Sequence, residues 1–332
     1  MTRCAVIGAG AWGTALANVL TANGHETQLW AREQDVVESI NARHVNERFL
    51  AGFPLESSLR AVSDMGHALT GASLVVYAPP SHALRTVVQS GRDALAPAAT
   101  VVVASKGIEK GSLSLMTDVV ADELPDHAVV AFSGPSFAAE VAVRQPTAVV
   151  AASEHADAAA TAQDAFSNAV FRVYTSDDVA GVELGGSLKN VMAVATGIAE
   201  GLGLGFNSRA ALITRGLAEM SRLGVALGAQ ERTFAGLAGL GDLVLTCTGS
   251  LSRNRSLGVE IGKGKTLDEA LAGRETVAEG AVSAASALEL ARREGVEMPI
   301  IEAVHRTLFE GYPARRTIED LMGRELRPEQ DR

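Results

Sequence analysis

The sequence predicts an α/β chain, with a doubly wound parallel sheet over residues 1–180 and an all-α domain over 181–332. Three observations predict it. Short apolar, β-branched runs alternate with helix-like segments through the first half, the pattern of strands buried on both faces. Three closely spaced glycines separate the first of these runs from the first helix. Beyond about Val179 the β runs stop and helical periodicity alone remains.

In chain order, "CAVIG" at 4–8 reads as a strand ending in a turn, followed by a helix from about Gly13 to Ala22. "ETQLWA" at 26–31 reads as the second strand. Further strands are expected in "LVVYAP" (74–79), "TVVVASKG" (100–107), "HAVVAFSGP" (127–135) and "TAVVAAS" (147–153). A helix such as "LSLMTDVVADEL" (113–124) separates several of them. Behind residue 180, "LKNVMAVATGIAE", "RAALITRGLAEMSRLGVAL", "TLDEALAG" and "VSAASALELARREG" all carry a helical repeat. Thr266 with Glu269 three residues later forms a capping-box signature.

A chain of 332 residues has room for two domains and a large core. Its net charge of −10 argues against non-specific binding to nucleic acid or anionic membrane. An anionic ligand therefore has to be held by a local basic cluster. Cys4 and Cys247 imply no disulfide framework, and no His, Cys or carboxylate cluster has metal-ligand spacing, so no metal is expected. No apolar run reaches the ~18 residues of a membrane span. The first residues pass straight into a strand rather than a signal peptide, so a cytoplasmic location is expected.

"VIGAGAWGTALA" (6–17) places Gly8, Gly10 and Gly13 in G-x-G-x-x-G spacing between strand and helix. Such a turn bends tightly, lets a pyrophosphate approach the backbone and presents it to a helix N-terminus. At the start of a βαβ series it marks a Rossmann-type dinucleotide site. The second strand ends in Arg32 rather than an acid, which suits a 2′-phosphate and favours NADPH; Glu33 beside it keeps a solvated arginine open as the alternative.

Several polar residues interrupt apolar surroundings. Lys106 ends a buried strand, where the carboxyl edge of a doubly wound sheet faces its ligand; an exposed strand-end lysine is the competing account. Gly134 and Ser136 lie in a turn opening into a helix, where backbone N–H groups can receive an anion. Asp242 stands in the apolar "GLAGLGDLVLTCTG", and a helix from that point puts Thr246 on its face; a plain helix cap is the alternative for Asp242. "SLSRNRSLG" (250–258) offers Ser252, Arg253, Asn254 and Arg255 as a phosphate clamp at a helix start. Lys189 and Asn190 sit inside a helix that is otherwise small and apolar. A buried ammonium without a partner is costly, so Lys189 demands an explanation.

The motifs "GAGAWGTALA", "SKG", "SGPSFAAE", "ELGGSLKNVMAVATGIAEGLGLGFNSRAALITRG", "GLAGLGDLVLTCTGSLSRNR" and "TVAEG" resemble bacterial NAD(P)-dependent glycerol-3-phosphate dehydrogenase over essentially the whole chain. The resemblance implies reduction of dihydroxyacetone phosphate by NAD(P)H to sn-glycerol 3-phosphate, a phospholipid precursor, and a homodimer. It also implies site residues. Lys189 matches the catalytic lysine; Lys106, Gly134, Ser136, Asp242, Ser252, Arg253 and Asn254 match substrate contacts. Ala11, Trp12, Arg32, Glu33, Phe49, Lys106, Ala138, Arg253, Val277 and Glu279 fall where relatives touch the nicotinamide nucleotide. Ala11 departs from the serine common in relatives, so only a backbone contact survives there.

Ketone reduction needs a proton for the developing alkoxide. Lys189 is the expected general acid, its pKa lowered by burial and by the charge of Lys106. Asn190, Thr246 and Asp242 are expected to orient it, compensate charge or bind substrate oxygens. Reductases of carboxylate substrates, such as ketopantoate, are the neighbouring alternative, and the SRNR segment separates the two.

Overall fold

The computed structural model describes residues 2–273, 279–326 and 328–329. Ten strands form in the first 176 residues: β1 (Arg3–Ile7), β2 (Glu26–Trp30), β3 (Val45–Asn46), β4 (Leu50–Pro54), β5 (Arg60–Val62), β6 (Leu74–Tyr77), β7 (Thr100–Val103), β8 (Val129–Ser133), β9 (Thr147–Ala152) and β10 (Phe171–Ser176). Eight of them make one sheet in the order β10-β9-β8-β7-β6-β1-β2-β5, and β3 pairs with β4 separately.

The strands alternate between two cores. Cys4 and Val6 of β1 enter one while Ala5 and Ile7 enter the other, and Leu74 and Val76 of β6 part from Val75 and Tyr77 in the same way. The helix Ala11–Ala22 covers the first face through Ala15, Leu16 and Leu20. Leu84 and Val88, with Met116, Val119 and Val120, cover the second. Both faces are dry, which is why these strands read as continuous apolar runs.

The all-parallel expectation needs correction at one edge. β8 and β9 pair antiparallel, and β10 then runs parallel to β9. A parallel return needs a crossover that spans the strand, usually a helix. The β8–β9 link holds only the five-residue helix Ala138–Ala142, and the chain reverses instead. β3, β4, β5 and β10 carried no clear sequence signal: β3 and β5 are short, β4 is largely exposed, and β10 buries only alternate residues at the sheet edge.

The strands end at Ser176, and the 23-residue helix Val179–Gly201 follows. Against the expected boundary at 180, the compact units divide inside this helix. One comprises Met1–Ser187 with Gly224–Asp242, the other Leu188–Leu223 with Leu243–Arg332. The second unit is helical among its described residues. Its buried Glu219 accepts hydrogen bonds from the backbone N–H groups of Ile300 (2.8 Å) and Ile301 (3.4 Å) at the start of the helix Pro299–Phe309. The Thr266–Glu269 capping box is present at the start of Leu267–Leu271. No single helix among the described residues is long and apolar enough to cross a membrane.

Candidate active site

The turn after β1 is shaped by three glycines with three different demands. Gly8 has φ +118°, and a Cβ there would lie 2.9–3.0 Å from the backbone of Ala78 and Pro79. A Cβ on Gly13 would stand 1.9 Å from the Gly8 carbonyl oxygen, so only glycine lets the helix close on the turn. Gly10 meets nothing within 4 Å, leaving its face open for a ligand to approach the backbone. Gly10 is also the N-cap of Ala11–Ala22, which has neither a side-chain cap nor an acid in its first turn. The leading N–H groups of that helix therefore remain available to an anion.

Residues around this turn extend the fit to a dinucleotide. Ala11, Trp12, Phe49 and Ala138 lie half-buried at the margin of one core, and the indole nitrogen of Trp12 is buried without a hydrogen-bond partner. Arg32 is highly exposed, and its guanidinium donates twice to one carboxylate oxygen of Glu33, at 3.1 and 2.7 Å. The two residues expected to sort the cofactors are thus engaged with each other. Val277 lies outside the described residues, and Glu279 begins the helix Glu279–Arg293.

Lys106, three residues past the end of β7, donates to the Oδ2 of Asp242 at 2.7 Å and to the carbonyl of Gly134 at 3.4 Å. Asp242 is 1 % exposed, so its charge is matched inside the protein by this ammonium. It is the first residue of the helix Asp242–Thr248, directly after the π-helical turn Leu237–Gly241. Gly134 is held with φ +155°, its Cα face against the backbone of Val149, and its carbonyl also accepts from Ser136 Oγ at 3.1 Å. One residue before it, the hydroxyl of Ser133 is buried without a partner.

In the second unit Lys189 is 7 % exposed, and its ammonium donates to Thr246 Oγ1 at 2.9 Å. Asn190 Oδ1 accepts from Asn254 Nδ2 at 3.0 Å, and Asn254 Oδ1 accepts from the Gly280 N–H at 2.9 Å. Ser252 caps the helix Arg253–Gly262 by accepting from the Arg255 N–H at 3.2 Å. Arg253 is exposed. Arg255 turns elsewhere, donating to Glu200 at 2.5 Å and to the Gly249 carbonyl at 3.1 Å, so it braces the segment rather than clamping a ligand. Glycines make this arrangement. A Cβ on Gly197 or Gly201 would stand 2.1 or 2.3 Å from a carbonyl of the 253–262 helix, and one on Gly258 or Gly262 2.2 or 2.3 Å from a carbonyl of Val179–Gly201. The two helices meet backbone to backbone, bringing Asn254 onto Asn190.

Two family descriptions match these parts in order: NAD-dependent glycerol-3-phosphate dehydrogenase N-terminus over residues 3–159, and the corresponding C-terminus over 178–319. The chain belongs to this glycerol-3-phosphate dehydrogenase family. A glycerol-3-phosphate dehydrogenase [NAD(P)+] of Trichlorobacter lovleyi is 53% identical over 331 residues, covering 99% of each chain. One from Geobacter sulfurreducens is 52% identical, with 98% of each covered. Among solved structures, a glycerol-3-phosphate dehydrogenase from Coxiella burnetii matches with a TM-score of 0.93 and 41% identity, over 97% of this chain and 99% of that one. A ketopantoate reductase from Ralstonia eutropha, at 19% identity and a TM-score of 0.58, shares the fold alone.

Within this dehydrogenase chain, side chains the sequence did not single out hold the glycine turn. Asn46 is fully buried; its amide donates to the Ala9 carbonyl and to Thr14 Oγ1, both at 2.8 Å, and its oxygen accepts from the Phe49 N–H at 3.1 Å. One amide thereby ties the turn to Phe49. The available signal was an asparagine three residues ahead of Phe49, in a stretch that reads as a loop.

Proposed function

We propose that this chain reduces dihydroxyacetone phosphate to sn-glycerol 3-phosphate with NAD(P)H, reversibly, and so supplies the backbone of glycerophospholipids. The observation that carries the reading is the buried Lys189 ammonium, kept in an apolar helix and donating to the hydroxyl of Thr246. A chain that needed only packing there would carry an aliphatic residue. When bound, the nicotinamide nucleotide supplies a hydride to the carbonyl carbon. Lys189 gives its Nζ proton to the oxygen as negative charge develops and recovers a proton from solvent. Thr246 holds the ammonium in place, and Asn190 fixes Asn254. Lys106 and Asp242 bind substrate oxygens as a compensated pair, while Arg253, Asn254 and the helix end behind Ser252 take the phosphate.

Arg32 favours NADPH, because the 2′-phosphate competes with Glu33 for its guanidinium; Glu33 released in this way, or facing a ribose hydroxyl, leaves NADH usable. Trp12, Phe49 and Ala138 contribute the apolar wall of the nucleotide site. A cytoplasmic homodimer completes the proposal, and light scattering on the purified protein tests the dimer.

The deciding assay follows loss of reduced-nicotinamide absorbance with dihydroxyacetone phosphate, comparing NADPH with NADH. Ketopantoate and unphosphorylated dihydroxyacetone serve as controls. Turnover confined to the phosphorylated ketone is expected. Equal activity on either control would sink the phosphate clamp.

A further inference from the structure

Two consecutive glycines, Gly185 and Gly186, occupy the interior of the helix Val179–Gly201, where each costs about 1 kcal/mol of helix stability relative to alanine. Gly186 lies against Lys106, and Gly185 against the turn that leads into Asp242. A Cβ on Gly185 would stand 2.4 Å from the Ala238 carbonyl oxygen, 2.9 Å from its carbon and 3.3 Å from the Gly239 nitrogen. Those atoms belong to the π-helical turn Leu237–Gly241, whose next residue is Asp242. On the other side, a Cβ on Gly186 would lie 3.3 and 3.5 Å from Cδ and Cε of Lys106, and 2.4 Å from the hydroxyl of Ser133.

We infer that Gly185 is a positioning residue for the Lys106–Asp242 pair, with Gly186 seating the stem of the same lysine. The inference rests on the proposed role of that pair in holding substrate. The bare face of Gly185 lets the π turn lie backbone against backbone, which sets where Asp242 emerges. The turn is itself tightly wound, since a Cβ on Gly239 would stand 2.1 Å from the Phe234 carbonyl oxygen. A methyl group at 185 therefore displaces the start of the Asp242 helix, and a 2.7 Å charge-assisted hydrogen bond is sensitive to that displacement. The obstacle at 186 is softer, since a serine hydroxyl can turn away. A π-helical turn immediately before Asp242 fits the frequent occurrence of such turns at functional sites.

The test is a double-mutant cycle of Gly185→Ala with Asp242→Asn, read as kcat/KM for dihydroxyacetone phosphate, as NADPH affinity by fluorescence, and as melting temperature. Gly185→Ala is expected to lower kcat/KM by ~10-fold or more while NADPH affinity stays within ~2-fold, because the glycine turn at 8–13 is untouched. In the Asp242→Asn background the same substitution is expected to change kcat/KM by less than ~2-fold, and its effect on melting is also expected to shrink. Full additivity in both readouts, or a Gly185→Ala enzyme as active as wild type, overturns the inference. Wild-type protein inert towards dihydroxyacetone phosphate refutes the substrate reading instead, and the melting cycle still decides whether Gly185 acts through the pair. Should Gly185→Ala fail to fold, Gly186→Ala takes its place. Its smaller loss is expected to be recovered when Ser133→Ala removes the obstructing hydroxyl, compared against Ser133→Ala alone, and a loss that Ser133→Ala leaves unchanged counts against the seat.

Discussion

The glycine turn at 8–13 and the two lysines, Lys106 and Lys189, are built by opposite means. The turn is a backbone object: its shape follows from a left-handed Gly8, a Gly13 pressed on Gly8 and an open face at Gly10. The lysine centres are side-chain objects, Lys106 held by Asp242 and Lys189 by Thr246, and their partners lie 136 and 57 residues away in sequence. A backbone site is lost by adding a carbon. A side-chain site is lost by removing a nitrogen, or by moving the helix that carries it.

The largest expected effect falls on the second kind. Lys189→Ala is expected to lower kcat by roughly 10²–10⁴-fold, the usual contribution of a positioned acid, with NADPH affinity nearly unchanged. Turnover close to wild type would remove Lys189 from the proton path. Glycine substitutions then sharpen the contrast within the turn. Gly13→Ala forces a methyl into the Gly8 carbonyl and is expected to weaken NADPH binding ~10²-fold and to lower the melting temperature, since overpacking costs about 1–3 kcal/mol. Gly10→Ala meets open space, so its melting temperature is expected to hold while NADPH affinity falls. A Gly10→Ala protein that binds NADPH normally would mean that no phosphate approaches that face.

Asn46 joins the two kinds, being a side chain that ties backbone together. Asn46→Asp keeps an acceptor for the Phe49 N–H but replaces the donor that serves the Ala9 carbonyl and Thr14. A loss of ~10-fold in NADPH affinity is expected from Asn46→Asp, with more from Asn46→Ala, as befits a buried group left unpaired. Equal, negligible changes in both would show that the turn holds itself.

What the sequence made legible follows the same divide. The glycine spacing and the buried strands are local patterns, and their elements emerged within a few residues of expectation, as with β1 and β2. Lys106, Lys189 and Asp242 stood out because charge in apolar surroundings needs a reason. Thr246 was among the residues expected to orient Lys189, but the pairing of Lys106 with Asp242 was not readable, since no local rule joins residue 106 to residue 242. The reversed β9 was hidden for a related reason: its composition matches a parallel strand, and only the shortness of the preceding helix turns it round. The helix-packing glycines 197, 201, 258 and 262 were visible as residues and silent as contacts. Arg255 shared its motif with Arg253, yet Glu200 claims it.

The smallest expected effect concerns carboxylates buried without a lysine. Glu219 has two backbone N–H donors, with Arg222 and Arg215 more distant, and burial outweighs them to push its pKa up to about 7. Glu183, which accepts from the N–H and hydroxyl of Thr117, is raised to about 7 for the same reason. A carboxyl raised in the folded state holds its proton there after the unfolded chain has released it. Its contribution to stability is therefore complete below the ordinary glutamate range and is lost as pH rises through about 7. Glu219→Gln stays neutral and keeps an acceptor for Ile300, so the fall in stability between about pH 5 and pH 7 is expected to flatten by up to ~1.4 kcal/mol per pH unit. Denaturant unfolding at several pH values measures that slope. An unchanged slope would mean that Glu219 is already ionised in the fold, its charge carried by the helix N-terminus and the two arginines, and the division between paired and unpaired buried carboxylates would then rest on Glu183 alone.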